Sequence, residues 1–139
     1  MLPSLADLDS LLTSAGPAVL TTTRADGTPL TSPVWVRLDD GLFEIVVTAR
    51  DGKLRNPRRD PRCLLVVFEA SPPFRGVGVR AEAVIEEGDR AAEVRGSIAR
   101  RYLGPEDGGR FGASRVDVPS VVVPMPVAAA RGCDLSAIV

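Results

Sequence analysis

Histidine is missing from all 139 positions of the chain. That excludes a histidine-based catalytic triad, a histidine haem ligand and a zinc–histidine site. Cysteine occurs only twice, at positions 63 and 133, and the pair fits no metal-ligand spacing. Cys63 opens the apolar run Leu64-Leu65-Val66-Val67-Phe68 and is expected to be a small core residue. A disulfide is not expected in a cytosolic chain. Aromatic residues make up 4% of the sequence, with a single tryptophan and a single tyrosine. Stacking platforms for single-stranded nucleic acid are therefore scarce. No apolar run approaches the roughly 20 residues of a membrane span. The first residues, Met1-Leu2-Pro3-Ser4, lack the basic and apolar regions of a signal peptide. The chain is expected to be cytoplasmic and to bind neither nucleic acid nor membrane. Its chemistry must come from a cofactor, or from carboxylates, arginines and hydroxyls.

Lysine is scarce as well. Lys53 is the only one, against sixteen arginines. It lies in Arg50-Asp51-Gly52-Lys53-Leu54-Arg55-Asn56-Pro57-Arg58-Arg59-Asp60-Pro61-Arg62. Those thirteen residues hold six cations and two anions, a net of +4, while the whole chain sums to −1. Arginine is a planar fork and lysine a compact point charge, so the two are not interchangeable. A basic island that keeps one ammonium, entered directly from a strand, suggests an anion site for phosphate or carboxylate. The plain alternative is a solvated charged loop.

With 45% hydrophobic and 25% charged residues, the composition is globular. The length suits one domain, residues 1–139, with a sizeable core. Residues 4–15 read as a short helix capped by Ser4, with Leu5, Leu8, Leu11 and Leu12 on one face and Gly16-Pro17 as the stop. A strand over 18–24 leads to the hairpin signal Asp26-Gly27. A second strand spans about 28–38, and Pro29 and Pro33 mark it as an edge or a bulged strand. Asp39-Asp40-Gly41 is another hairpin turn, before a third strand over 42–48. The prolines at 57 and 61 limit any helix in the basic segment to a turn or two. Strands are predicted over 63–69 and 77–86, the latter alternating Val77, Val79, Ala81, Ala83 and Ile85 on one face. A helix is predicted over 89–103, with Val94, Ile98 and Tyr102 on one stripe. Residues 106–115 read as a glycine-rich loop with at most a helical turn. The last strand starts at Ser120-Val123. Six strands with short hairpins and few helices indicate a mainly β chain forming a small antiparallel barrel.

Several motifs occur in a particular order. They are Thr21-Thr22-Thr23-Arg24-Ala25-Asp26-Gly27-Thr28-Pro29, Ser32-Pro33-Val34-Trp35, Asp39-Asp40-Gly41 and Thr48, followed by Lys53-Leu54-Arg55-Asn56 and Asp60-Pro61-Arg62. Phe74-Arg75-Gly76-Val77 and Arg101-Tyr102-Leu103-Gly104-Pro105 complete the set. Over about residues 5–125 the sequence resembles the flavin/deazaflavin oxidoreductases of the pyridoxamine 5′-phosphate oxidase-like group. The branch it looks most like uses the 8-hydroxy-5-deazaflavin coenzyme F-420. The resemblance implies the six-stranded antiparallel split β-barrel of the FMN-binding type, and a homodimer with two cofactor sites between subunits.

By position, the resemblance makes Lys53, Arg55 and Asn56 the phosphate-side ligands, flanked by Arg50 and Thr48. Pro33, Val34 and Trp35 would lie along the ring system, and the loop around Phe74 and Arg75 would approach from the partner subunit. Arg58, Arg59 and Arg62 are candidates for the polyglutamate tail, although Arg59 and Arg62 can instead pair with Asp60. A lone tryptophan between Val34 and Val36 reads as core more readily than as a stacking platform, which leaves the backbone of 33–35 to face the ring. Tyr102 reads as packing. After Pro124 the sequence departs from the regular final strand the resemblance implies. The implied activity is hydride transfer to an unsaturated small molecule. No residue is marked as a general acid. FMN in the same fold is the alternative cofactor, and a non-catalytic ligand carrier the alternative function. Pyridoxamine-phosphate oxidation is disfavoured, because the arginine–histidine pair expected of it needs a histidine.

Overall fold

The computed structural model describes residue 11, residues 16–72 and residues 74–133, with the Cys133 side chain left aside. The helix expected over 4–15 falls outside these residues except for Leu11, which is helical and fully buried.

Among the described residues the chain forms eight strands, two more than predicted. They are β1 (Ala18–Thr23), β2 (Pro29–Val34), β3 (Arg37–Asp39), β4 (Leu42–Thr48), β5 (Arg62–Phe68), β6 (Gly76–Glu82), β7 (Ser120–Met125) and β8 (Val127–Cys133). A 3-10 turn (Gly52–Leu54) runs into the short helix α1 (Arg55–Arg59), and two longer helices follow, α2 (Ala91–Leu103) and α3 (Pro105–Ser114). Both Asp-Gly signals are hairpins. In the second, Asp40 and Gly41 have φ of 50° and 77° between the paired residues Asp39 and Leu42. A two-residue turn with both central φ positive matches the twist of its strands.

All the pairings are antiparallel and form two sheets, ordered β2-β1-β5-β6-β8 and β3-β4-β7. The extra strands arise at two places. The segment predicted as one strand over 28–38 breaks at Trp35-Val36, so that β2 sits at the edge of one sheet and β3 at the edge of the other. Pro29 and Pro33 thus lie on an edge strand, where a missing N–H costs no ladder bond. The second place is the C-terminal segment. Val127–Cys133 is a regular strand on β6, with Ala130 opposite Val79 and Arg131 opposite Gly78. The expected departure after Pro124 is corrected: the final strand is present.

The sheets meet along β6. Beyond its pairing with β8, the Val84 and Glu86 amides donate to the Pro124 and Val122 carbonyls of β7 at 2.8 and 2.9 Å. Together these features make a split, unclosed barrel. Inward residues of β1, β4, β5, β6 and β7 alternate in the sequence and share one core: Leu20, Ile45, Leu65, Val79 and Val123 are among its members. α2 covers the outer side of the three-stranded sheet, packing Val94 and Ile98 on Val122, with Val46 and Tyr102 beside them. β7 is buried on both sides, which is why Val121-Val122-Val123 is a continuous apolar run.

An ion network fastens α2 to that sheet. Glu44, 1% exposed, accepts from Arg37 Nη2 at 2.9 Å and from Arg90 Nη2 at 3.0 Å. A buried carboxylate between two guanidiniums is tolerated because both oxygens are paired.

The predicted loop at 106–115 is instead the ten-residue helix α3. Gly104, at φ 86°, turns the chain, and Pro105 opens the helix, where a proline loses no hydrogen bond. A Cβ on Gly108 would lie 2.4 Å from the Arg100 Cα. Glycine there allows α3 to rest directly on the backbone of α2.

Candidate cofactor and substrate site

A cavity of about 270 Å3 opens where β4, the start of the basic segment, α2 and α3 converge. Its walls are mostly apolar, with Val34, Ile45, Val47, Ile98 and Val118 among them, and Trp35 and Phe111 add aromatic surface. The charged groups in its lining are Asp51, Lys53, Arg95 and Arg115. Three cations against one carboxylate leave the cavity electropositive in a net acidic chain.

Lys53 enters from the 3-10 turn that follows Thr48. Asp51 caps the 3-10 turn: its Oδ1 accepts from the Lys53 amide at 2.8 Å, while its Oδ2 accepts from Lys53 Nζ at 3.2 Å. The amide bond first, and then the ammonium, hold the Asp51 carboxyl below its ordinary value against some desolvation. Asp51 is thus ionised near neutral pH and is no proton donor.

Arg95 and Arg115 line the cavity from the helix side, beside the paired strand ends Thr48 and Ser120. Arg95 donates Nη1 to the Arg115 carbonyl at 2.7 Å and Nη2 to the Val118 carbonyl at 3.2 Å, with a further bond to Ser120 Oγ. Burial first, and then the neighbouring Arg115 charge, lower its guanidinium from the ordinary value. Arg115 lies over the Phe111 ring, 5.0 Å from the centroid. Among the described residues neither arginine has a carboxylate partner.

Trp35 corrects an expectation. It is 40% exposed, not core. Its ring stacks on Tyr102 at 5.1 Å and 6° and is tilted against Phe111 at 5.6 Å. The Tyr102 hydroxyl donates to the Gly16 carbonyl at 3.0 Å and accepts from the Val36 amide at 3.3 Å, so it packs and braces, as expected. The tryptophan is held upright as a partition. On its far side a more open groove of about 540 Å3 is lined by Pro17, Ala18, Pro33, Val34, Trp35 and Tyr102.

Of the residues singled out in the sequence, Thr48, Lys53, Pro33, Val34 and Trp35 meet at the cavity. Arg50, Arg55 and Asn56 do not line it. Arg50 and Arg55 are exposed. Asn56 is buried, donating its amide to Thr22 Oγ1 at 3.1 Å and accepting from Arg59 at 3.4 Å, which ties α1 to β1. Of the two arginines expected to pair with Asp60, Arg62 does so, at 2.8 Å. Arg59 bonds instead to Asn56 and the Thr23 carbonyl. The sequence reading missed Asp51, Arg95, Phe111, Arg115 and Ser120. Phe111 and Arg115 were hidden because their segment read as loop. Arg95 carried a faint signal, three residues before Ile98 and so on the buried side of α2.

The donor set fits a flat ring system with an anionic arm: apolar and aromatic walls for the ring, and a cation at a strand end for the arm. Among the described residues no cluster of His, Cys, Asp or Glu can hold a metal, and no helix is long and apolar enough to cross a membrane.

The fold is that of the split β-barrel proteins of the pyridoxamine 5′-phosphate oxidase-like group. The family model of pyridoxamine 5′-phosphate oxidase matches residues 5–132, and the chain belongs to that family. No curated protein matches the sequence. Among solved structures, a conserved hypothetical protein of Mycobacterium tuberculosis is similar at 26% identity and a TM-score of 0.82, over 98% of this chain and 88% of that one. An F420 reductase is similar at 24% identity and 0.69, over 88% and 94% of the two chains. The haem storage protein HutZ of Vibrio cholerae shares the fold at 13% identity and 0.71, over 90% and 91%.

Proposed function

We propose that the chain is a deazaflavin-dependent reductase using coenzyme F-420. The observation that carries this reading is the cavity itself. It joins apolar walls and the 33–35 segment to a lysine-bearing turn that is electropositive in a net acidic protein. Lys53 would hold the coenzyme phosphate, helped by the Thr48 strand end. Pro33, Val34 and Trp35 would flank the ring. Arg50 and Arg55 would have to turn toward the cavity to share the phosphate, while Asn56 would act by holding α1 in place. When bound, the reduced coenzyme supplies a hydride to an electron-poor double bond. The residues position both partners and exclude water. With Asp51 ionised, the proton must come from solvent. The protein would work as a homodimer, with the Phe74–Arg75 loop of one subunit reaching the site of the other.

FMN is the competing cofactor, with its single phosphate at Lys53. A carrier without turnover is the competing function, favoured by the lack of an acid in the cavity and by the haem storage neighbour, although this chain has no histidine for haem. Titration of the purified protein with F-420 and with FMN separates these readings. Tighter F-420 binding that weakens with salt, together with oxidation of reduced F-420 in the presence of an enone or quinone, is expected. Tighter FMN binding would move the protein to the flavin branch, and binding without turnover to the carriers.

A further inference from the structure

The cavity has two cations besides Lys53, and they come from α2 and the end of α3, beside the paired strand ends Thr48 and Ser120. The arginines expected to meet further anionic groups, Arg58, Arg59 and Arg62, do not line it. Arg95 and Arg115 do. Arg95 has five N–H donors and spends three contacts on the Arg115 and Val118 carbonyls and Ser120. Those contacts fix the 115–120 turn, so a purely structural role accounts for part of this side chain. It does not account for the charge, because backbone carbonyls do not neutralise a guanidinium. Arg115 has no such role. Its guanidinium lies on Phe111, is exposed, and makes no hydrogen bond to the described residues. Partial burial and the neighbouring Arg115 charge both disfavour the Arg95 cation, and an anion held between the two guanidiniums would offset that cost.

We infer that the α2–α3 side of the cavity is the carboxylate-recognition site for the substrate, and that the substrate is a flat, conjugated carboxylate whose body lies against Phe111 and Trp35. Arg115 supplies the fork for the oxyanion, oriented by the ring beneath it, and Arg95 supplies a second, fixed charge. The apolar walls favour an unsaturated or aromatic body over a sugar or an amino acid. The deazaflavin reading is needed only to call this ligand the substrate.

Trans-cinnamate is a suitable probe, and its neutral methyl ester the control. Trp35 is the only tryptophan and lines both this cavity and the groove behind it, so its fluorescence reports binding and the Arg115 variant assigns it to this cavity. Cinnamate is expected to change the emission saturably and to bind about tenfold or more tightly than the ester. Arg115→Met should remove that preference while changing the thermal melting temperature little, since its guanidinium makes only an exposed contact with the Phe111 ring. Arg95→Lys keeps the charge and should retain a reduced preference, whereas Arg58→Ala, outside the cavity, should leave cinnamate binding as it was. Equal binding of cinnamate and ester, no binding of either, or an Arg115→Met protein that behaves like the parent would overturn the inference. F-420 titration of the same Arg115→Met protein separates the two readings. If the variant loses F-420 but the parent never binds cinnamate, the arginines serve the coenzyme and the inference fails. If the parent binds cinnamate through Arg115 but does not bind F-420, the carboxylate site stands and the deazaflavin reading fails.

Discussion

Lys53 works inside a pair. Its ammonium is 3.2 Å from Asp51, so an incoming phosphate meets a partly neutralised charge. Lys53→Ala removes a charge-assisted hydrogen bond and also bares Asp51 toward the anion. Cofactor affinity should fall by about 10- to 150-fold, the equivalent of roughly 1.5–3 kcal/mol. Lys53→Arg should recover part of it, since a planar fork replaces a point charge. Asp51→Asn keeps an oxygen for the Lys53 amide and removes the competing charge, so it should tighten binding by up to about fivefold. Arg58→Ala, outside the cavity, should change little. Isothermal titration of the four variants gives the order, and equal effects throughout would return the segment to a solvated loop. Cys63 makes a separate, pH-dependent prediction. Burial pushes its thiol up to about 11 from an ordinary 9.0. The unfolded chain loses this proton first as pH rises, so the folded state loses stability across that window and keeps it in full below pH 9.0. Urea midpoints at a series of pH values should fall more steeply between those limits in the parent than in Cys63→Ala.

The elements were legible where local chemistry and tertiary context agree. Asp-Gly hairpins, prolines on an edge strand and alternation along β6 all report geometry that neighbouring residues impose. They fail where a partner element decides. The Ala128-Ala129-Ala130 stretch has weak strand preference and follows two prolines, yet β6 offers it a ladder and it becomes β8. Gly108, Gly109 and Gly112 disfavour a helix, yet α3 forms because α2 provides a surface that only glycine can approach. The cavity inherits that blind spot, since Phe111 and Arg115 ride on α3. Two neighbouring glycines test the account. A Cβ on Gly108 meets Arg100 backbone at 2.4 Å, whereas one on Gly109 meets nothing within 4 Å. Gly109→Ala should gain up to about 1 kcal/mol of helix propensity. Gly108→Ala gains the same propensity but drives α3 off α2, and overpacking of about 1–3 kcal/mol should outweigh it. Thermal melts of the two variants should therefore shift in opposite directions, with weaker ligand binding in Gly108→Ala only. A Gly108→Ala protein more stable than the parent would mean that the helices do not pack this closely.

At the scale of the molecule, one sheet face has nothing over it among the described residues. The three-stranded sheet is covered by α2, whereas no described element packs on the outward side of the five-stranded sheet. Leu64 is 39% exposed at its centre, with Val66 and Phe68 along the same strand and Thr21 beside them. Gly78 opposite Val66 leaves the face flat, since a Cβ there would meet nothing within 4 Å. Apolar sheet surface of this kind suits a contact between molecules. The occupant we propose is a second copy of the chain. Arg80 stands opposite Leu64, and Arg62 and Glu82 pair at the end of the face, so a two-fold axis through this mixed surface can oppose unlike charges. A partner with charge of one sign could not match it. The same arrangement would bring a Phe74–Arg75 loop toward the partner's cavity, as the proposed function requires. Gly78→Arg supplies the test. Open space around the position means that the subunit should still fold, with an unchanged circular dichroism spectrum, while a charge now stands in the middle of the face. Light scattering at micromolar concentration should give twice 14.7 kDa for the parent and 14.7 kDa for the variant. Cofactor affinity should fall with the dimer, because each site would lose the loop lent by its neighbour. A parent that is already monomeric, or a variant that dimerises as before, would rule out this face as the interface.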